Sequence, residues 1–263
     1  MTGLYTWRVE PHWLEITERD LPVGGLPASL VGKRLVQITD LHIGPQVADD
    51  YIAETFQRIA ALQPDIVVHT GDLITYWKDD RPLGQARTLL QHFPHGKLGS
   101  FAILGNHDYG LSFNDAAIAA KVEAVLADAG LRVLRNAATQ IAGLQIVGLD
   151  DLWAGRFAPE TAFKEVDFAR PVLALSHNPD TCDLPGWARH RGWIFSGHTH
   201  GGQCKPPFLP PPLLPVKNRR YTAGEFALTE GRRLHISRGV GHLLKVRFNC
   251  RPEVSVFRLT TAA

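Results

Sequence analysis

Residues 101–108 read Phe-Ala-Ile-Leu-Gly-Asn-His-Asp. Four apolar residues run into a glycine and three polar side chains. The run is too short for an ordinary helix and stops at a turn, so it predicts a strand over 101–104 that delivers Asn106, His107 and Asp108 at its carboxyl end. The pattern also stands twice upstream. Leu35-Val36-Gln37-Ile38-Thr39 stops at Asp40-Leu41-His42, and Ile66-Val67-Val68 leads into Thr70-Gly71-Asp72. Helical periods separate these strands. Ile52, Phe56, Ile59 and Leu62 recur at helical spacing within 50–62. A second helix is read over 82–93, with Pro82 acceptable near its start. A third, Ala-rich, covers 115–129, and Gly130 is placed to end it.

From residue 140 onward strands dominate: 140–149, 172–175, 193–195, 226–228, 234–236 and 254–259. No linker divides the helix-rich half from the strand-rich half. The expectation is one α/β domain over residues 1–263, with two packed sheets and helices outside. Trp7–Leu14, whose apolar positions partly alternate, is expected to pair into a sheet as part of an N-terminal strand segment, 1–32. Residues 205–216, KPPFLPPPLLPV, hold six prolines. A sheet interior does not accommodate them, so this is read as a stiff, extended surface loop.

Composition narrows the function classes. The chain has 263 residues, 28 Lys+Arg against 26 Asp+Glu, and a net charge of +2. That balance argues against a dedicated nucleic-acid binder, and no long nucleic acid is expected as partner. No run approaches the roughly 18 apolar residues that span a bilayer. The opening MTGLYTWRVEPHWLE lacks a basic stretch followed by an apolar one. Three widely spaced cysteines suit reduced thiols. The expected location is cytoplasmic, at most peripheral to the inner face of the membrane. Histidine is the outlier, at twelve residues.

Five of those histidines sit at strand ends. Besides the three turns above, Ser176-His177-Asn178 and Gly197-His198-Thr199-His200 follow later strands. Each fragment alone is commonplace: Gly-Asp is a frequent turn, and His-x-His a pair on one strand face. Together, in order, they place Asp40, His42, Asp72, Asn106, His177, His198 and His200 in the crevice outside the carboxyl ends of the strands, where α/β sheets bind ligands. Imidazole, carboxylate and amide ligation suits Mn, Fe or Zn. Seven ligands exceed one tetrahedral site and fit two divalent ions sharing one carboxylate.

The order D-x-H, G-D, G-N-H-D, H, G-H-x-H resembles the calcineurin-like metallophosphoesterase superfamily. The wider text (ITDLHIG, TGDLI, GNHDY, SHNPD, SGHTHGGQ, RYTAGEF, ISRGVG, RFNCRPEV) is similar to a bacterial phosphodiesterase branch related to UDP-2,3-diacylglucosamine pyrophosphatases of lipid A synthesis. The resemblance implies a four-layer α/β/β/α sandwich of two mixed β-sheets flanked by helices. It implies that Asp40, His42 and His200 hold one metal, Asn106, His177 and His198 the other, and that Asp72 bridges them. A metal-bridging hydroxide would then hydrolyse a phosphodiester or pyrophosphate. His107 would donate a proton or hydrogen bond to the leaving oxygen, and Asp108 would orient its ring.

The substrate is read from what surrounds the ligands. The apolar loop 206–216 runs into Lys217, Arg219 and Arg220, a combination that suits an acyl chain plus phosphate, or peripheral contact with anionic lipid. Arg238 and Arg247 are candidate phosphate contacts. The expected partner is a small-molecule or lipid-linked phosphoester such as UDP-2,3-diacylglucosamine. The alternative is a cyclic-nucleotide phosphodiesterase or nuclease using the same site, and last a non-catalytic interaction module. His12, His69, His92, His95, His190, His235 and His242 are read as packed or surface residues. Cys204 is read as incidental, and Asp150-Asp151 as a solvated loop.

Overall fold

A computed structural model describes residues 2–76, 78–187 and 189–262. Among the described residues, twelve strands form two six-stranded mixed sheets. The first sheet contains β1 (Glu15–Val23), β2 (Arg34–Ile38), β3 (Ile66–Thr70), β4 (Gly99–Ile103), β5 (Arg132–Val133) and β12 (Glu253–Thr261), in the order β1-β12-β2-β3-β4-β5. The second contains β6 (Ala137–Ile141), β7 (Leu144–Gly148), β8 (Val172–Leu175), β9 (Trp193–Ser196), β10 (Gly224–Ala227) and β11 (Arg233–Ile236), in the order β10-β11-β9-β8-β7-β6.

Strand alternation assigns each side chain to a layer. Leu35, Ile66, Val68, Phe101 and Ile103 of the first sheet meet Ile146, Leu173, Leu175, Trp193 and Phe195 of the second in a buried core between the sheets. Val36, Ile38, Val67 and Ala102 point the other way. They pack beneath the helices Asp49–Ala61, Arg81–Leu90 and Ala116–Asp128, through Phe56, Ile59, Leu90 and Val122. The outer face of the second sheet carries a thinner layer. There the short helix Pro159–Ala162 and the turn Pro179–Asp183 supply Ala162 and Cys182 to a third cluster, with Trp187 and Tyr221.

The strands are parallel where the site requires it. β2, β3 and β4 run parallel with Ile38 opposite His69 and Thr70 opposite Ile103, so their carboxyl ends finish together. β8 and β9 do the same in the second sheet, with Leu175 opposite Phe195. The Gln37 side chain donates across the sandwich to Ser196 O at 2.9 Å, tying the two sets of strand ends together.

Local departures from the sequence expectation have physical causes. Residues 2–12 form helical turns, not a strand, and pairing with β12 begins only at Glu15. Trp7 and Val9 lie exposed, while Glu10 is buried and its carboxylate accepts the Cys250 amide, an anchor that alternation cannot reveal. The run 140–149 is two strands. Ala142 and Gly143 take positive φ (44° and 89°) and reverse the chain between antiparallel β6 and β7. The helix 116–128 is capped as expected: Asp115 accepts the amides of Ala117 and Ile118, and Gly130 leaves it at φ 85°.

Candidate metal centre

Five of the candidate donors lie on backbone that side chains rarely adopt: Asp40, His42, Asp72, His198 and His200 have φ between 49° and 69°. Such strain persists only where the surroundings over-determine it. Here adjacent turns hold one another. Asp40 N donates to Gly71 O (3.0 Å), His42 N to Asp72 O (3.2 Å), Gly197 N to His177 O (3.1 Å) and Gly241 N to Asp40 O (2.7 Å). Glycine is needed where the turns cross. A Cβ on Gly105 would lie 2.3 Å from Asp72 Oδ1, and one on Gly197 would lie 2.2 Å from Asp40 Oδ2.

These turns bring three overlapping donor groups together: Asp40/His42/His200, Asp72/His177/His198, and His42/Asp72/His107, which joins the first two. In the first, the Nε2 atoms of His42 and His200 are 3.0 Å apart, and Asp40 Oδ1 is 3.3 Å from His200 Nε2. In the second, His177 Nε2 is 3.1 Å from Asp72 Oδ2. The same Asp72 Oδ2 lies 3.6 Å from His42 Nε2, so one carboxylate oxygen faces both groups. Buried Asn106 Oδ1 makes no hydrogen bond.

Neighbouring atoms set each ring. His177 Nδ1 donates to Thr70 O at 2.8 Å, and His42 Nδ1 meets Thr75 Oγ1 at 3.0 Å. This is the outer hydrogen bond that orients a metal-binding imidazole. His198 differs: its Nε2 donates to Pro215 O at 2.8 Å and lies 3.2 Å from Asn178 Nδ2.

Burial keeps His42 and His200 far below the ordinary histidine range and lowers His198 to about 3, so all three are neutral, as a ligand must be. Burial also acts on the Asp72–His177 pair. There the mutual attraction wins, raising His177 to about 10 and holding Asp72 well down. Burial, reinforced by Asp72 and opposed by His177, lifts Asp40 to about 7. Carboxylates and imidazoles crowded this closely, with Asn106 Oδ1 left unpaired, are a set that divalent cations fit.

His107 stands at the edge of the cluster. Its backbone amide donates to Asp72 Oδ1 at 2.8 Å, and its ring lies edge-on to His42 at 5.0 Å and to Phe113 at 4.9 Å. Burial lowers its pKa, with Asp72 opposing.

Four expectations fail. Asp108 does not orient His107: its carboxylate accepts the amides of Gly105 (2.9 Å) and Ile74 (3.2 Å), as the cap of its own turn. Arg238 is held in ion pairs with Glu253 (3.0 Å) and Glu15 (2.6 Å). Arg247 is fully buried behind His200, donating to the carbonyls of Cys250 (3.1 Å), Arg238 (3.0 Å) and Gly241 (2.7 Å). Neither arginine offers its guanidinium to a phosphate. Asp150 and Asp151 are likewise buried, not solvated. Asp150 accepts from Arg135 Nε at 3.0 Å and from the Tyr109 hydroxyl, and Asp151 Oδ2 has no hydrogen-bond partner.

A cavity of about 650 Å³ opens over Asp72, Asn106, His198 and His200. Its walls are Leu213 and Leu214 of the proline-rich loop, Leu244 and Val246, with Trp153 edge-on to His198 at 4.6 Å. Cys204 also lines it. Sequence reading missed Phe113, Trp153 and the 243–246 segment. Their signal was aromatic and aliphatic residues in turns, which is too common to single out.

Residues 33–202 match the family described as calcineurin-like phosphoesterase. The chain is 30% identical over 315 residues to the UDP-2,3-diacylglucosamine pyrophosphatase LpxG of Chlamydia trachomatis, covering 98% of this chain and 93% of that one. It is 32% identical over 262 residues to the phosphodiesterase YaeI of Escherichia coli, covering 97% and 92%. Among solved structures it is similar to the Haemophilus influenzae NAD nucleotidase NadN, with TM-score 0.50 and 15% identity over 80% of this chain and 45% of that one.

Proposed function

The chain belongs to the calcineurin-like phosphoesterase family, and from that premise we propose that it hydrolyses a phosphodiester or pyrophosphate bond in a lipid-linked substrate such as UDP-2,3-diacylglucosamine, with two divalent ions of Mn, Fe or Zn. Asp40, His42 and His200 would hold one ion, Asn106, His177 and His198 the other, and Asp72 would serve both. The observation that carries this is the single Asp72 oxygen facing both donor groups at the floor of an apolar cleft. Bound there, divalent ions supply Lewis-acid charge and activate water.

The protein's own residues do the rest. Asp72 is held in place by the His107 amide. The apolar walls exclude water, which strengthens every charge interaction inside. His107, on the rim, donates a hydrogen bond from its ring to the leaving oxygen. Leu213 and Leu214 give acyl carbons an apolar wall. Beyond them Phe208 and Leu209 stand exposed at 105% and 62%, followed by Lys217, Arg219 and Arg220. Among the described residues no helix is long and apolar enough to cross a membrane. Lipid contact would run through this loop.

The test is metal analysis followed by a substrate comparison with Mn²⁺ added. About two ions per chain are expected, with UDP-2,3-diacylglucosamine cleaved in preference to cyclic AMP, a phosphomonoester and single-stranded DNA. Preference for cyclic AMP or DNA would move the assignment to the nucleotide reading, and absence of turnover on all four would reject it.

A further inference from the structure

The proposed substrate has an acyl part and a polar part, and the apolar cleft suits only the first. A second cavity, of about 970 Å³, lies on the far side of His107. The two cavities share His107, Phe113 and Leu243 as lining residues, so they meet at the residue proposed to face the leaving oxygen.

Their chemistry differs. Polar side chains that line the second cavity include Gln46, Thr75, Tyr76 and Gln85, together with Asp79 and Arg81. Arg81 Nε lies 2.9 Å from Asp79 Oδ2, so the two charges satisfy each other and the cavity presents no free charge from them. The amide groups of Gln46 and Gln85 make no hydrogen bond to another described residue. Each offers an acceptor oxygen and two N–H donors. Tyr76 is half-buried and contributes an aromatic ring. Neutral amides beside an aromatic face match a flat, uncharged heterocycle with both donors and acceptors on its edge. A further phosphate would call for unpaired cations, which this lining lacks.

We infer that the second cavity binds the nucleobase of a nucleotide-bearing substrate, with Tyr76, Gln46 and Gln85 as specificity-determining residues. This rests on the proposed phosphoester hydrolysis for placing the phosphate between the two cavities.

Gly84 provides the test. It lies in the helix Arg81–Leu90, lines the cavity, and a Cβ added there meets no atom within 4 Å. Gly84→Trp fills the cavity without a clash at its base. The Mn²⁺-loaded full chain is titrated calorimetrically with uridine 5′-monophosphate and with ribose 5-phosphate, which lacks the base. The wild type is expected to bind the nucleotide about tenfold more tightly, as stacking a base on an aromatic ring supplies. In Gly84→Trp, and separately in Tyr76→Ala, that ratio should fall toward one. Equal affinities in the wild type, or a preference that survives both substitutions, overturns the inference. Binding is read without turnover, so a failure of hydrolysis counts against the proposed function and leaves this result standing.

Discussion

Replacing Gly105 with alanine should disable the metal centre by displacing Asp72, with the backbone shift confined to the two facing turns. Gly105 sits at φ −110°, ψ 178°, where any residue is comfortable, so alanine introduces no backbone strain. Its Cβ, however, would lie 2.3 Å from Asp72 Oδ1, 2.6 Å from Asp72 N and 2.8 Å from Asp72 Cγ. Ordinary contact begins near 3.4 Å, so the carboxylate must move by about 1 Å and the backbone at Asp72 N must give as well. That movement disturbs the 2.8 Å hydrogen bond from the His107 amide and takes Oδ2 out of register with His42 and His177. A misplacement of about 1 Å costs on the order of 100-fold in rate. The assay is metal content by mass spectrometry beside kcat/KM on bis-(p-nitrophenyl) phosphate, with Gly84→Ala as control because its Cβ meets open space. Gly105→Ala should hold fewer than two ions and lose about two orders of magnitude. Full metal occupancy with a rate within about threefold of wild type would show that Asp72 need not sit where it does, and the shared-carboxylate argument would fall.

Three further outcomes are expected. His107→Ala should keep its metal and lose roughly 10²- to 10⁴-fold in rate, less on p-nitrophenyl esters than on alkyl esters because nitrophenolate leaves without a proton; equal losses on both would contradict a role at the leaving oxygen. Arg247→Met strands the carbonyls of Cys250, Arg238 and Gly241, at about 1–3 kcal/mol each, so urea denaturation should show a loss of at least about 3 kcal/mol, and a change under about 1 kcal/mol would show that the clasp behind His200 is dispensable. Burial holds His190 and His235 at about 4 in the folded chain, against about 6.5 unfolded. Between those values the unfolded chain binds more protons, so stability should fall as pH drops from 6.5 toward 4, by up to about 1.4 kcal/mol per pH unit for each ring. His190→Phe should flatten that slope in urea titrations at several pH values, and an unchanged slope would remove His190 from the account.

The α/β class and the strand-end turns were legible because both are written locally. A short apolar run, a glycine and a polar side chain sit within about eight residues of one another, and alternation fixes which face each residue takes. The direction of individual polar groups was not legible. Asp108 follows His107 in the chain, yet its carboxylate accepts the Gly105 amide of its own turn and the Ile74 amide of the segment after β3, two buried donors that need a partner. Arg247 reads as a candidate phosphate contact because it lies in RFNCRPEV, a stretch that resembles the bacterial branch of the family. Its site is a knot of carbonyls from residues 238, 241 and 250 that exists only once the chain has closed.

The sequence alone therefore determined the inventory: which donor types exist, on which turns, and that they suit divalent cations. Tertiary structure decided the distances, since Asp72 reaches both His42 and His177 only because β2, β3 and β4 end in register and Gln37 ties them to the end of β9. It also decided what surrounds the site, bringing Leu213, Leu244 and Trp153 to one wall and Gln46, Tyr76 and Gln85 to another. Side-chain periodicity is a property of neighbouring residues, whereas a cavity is the space left between segments far apart in the chain, and no local pattern encodes it.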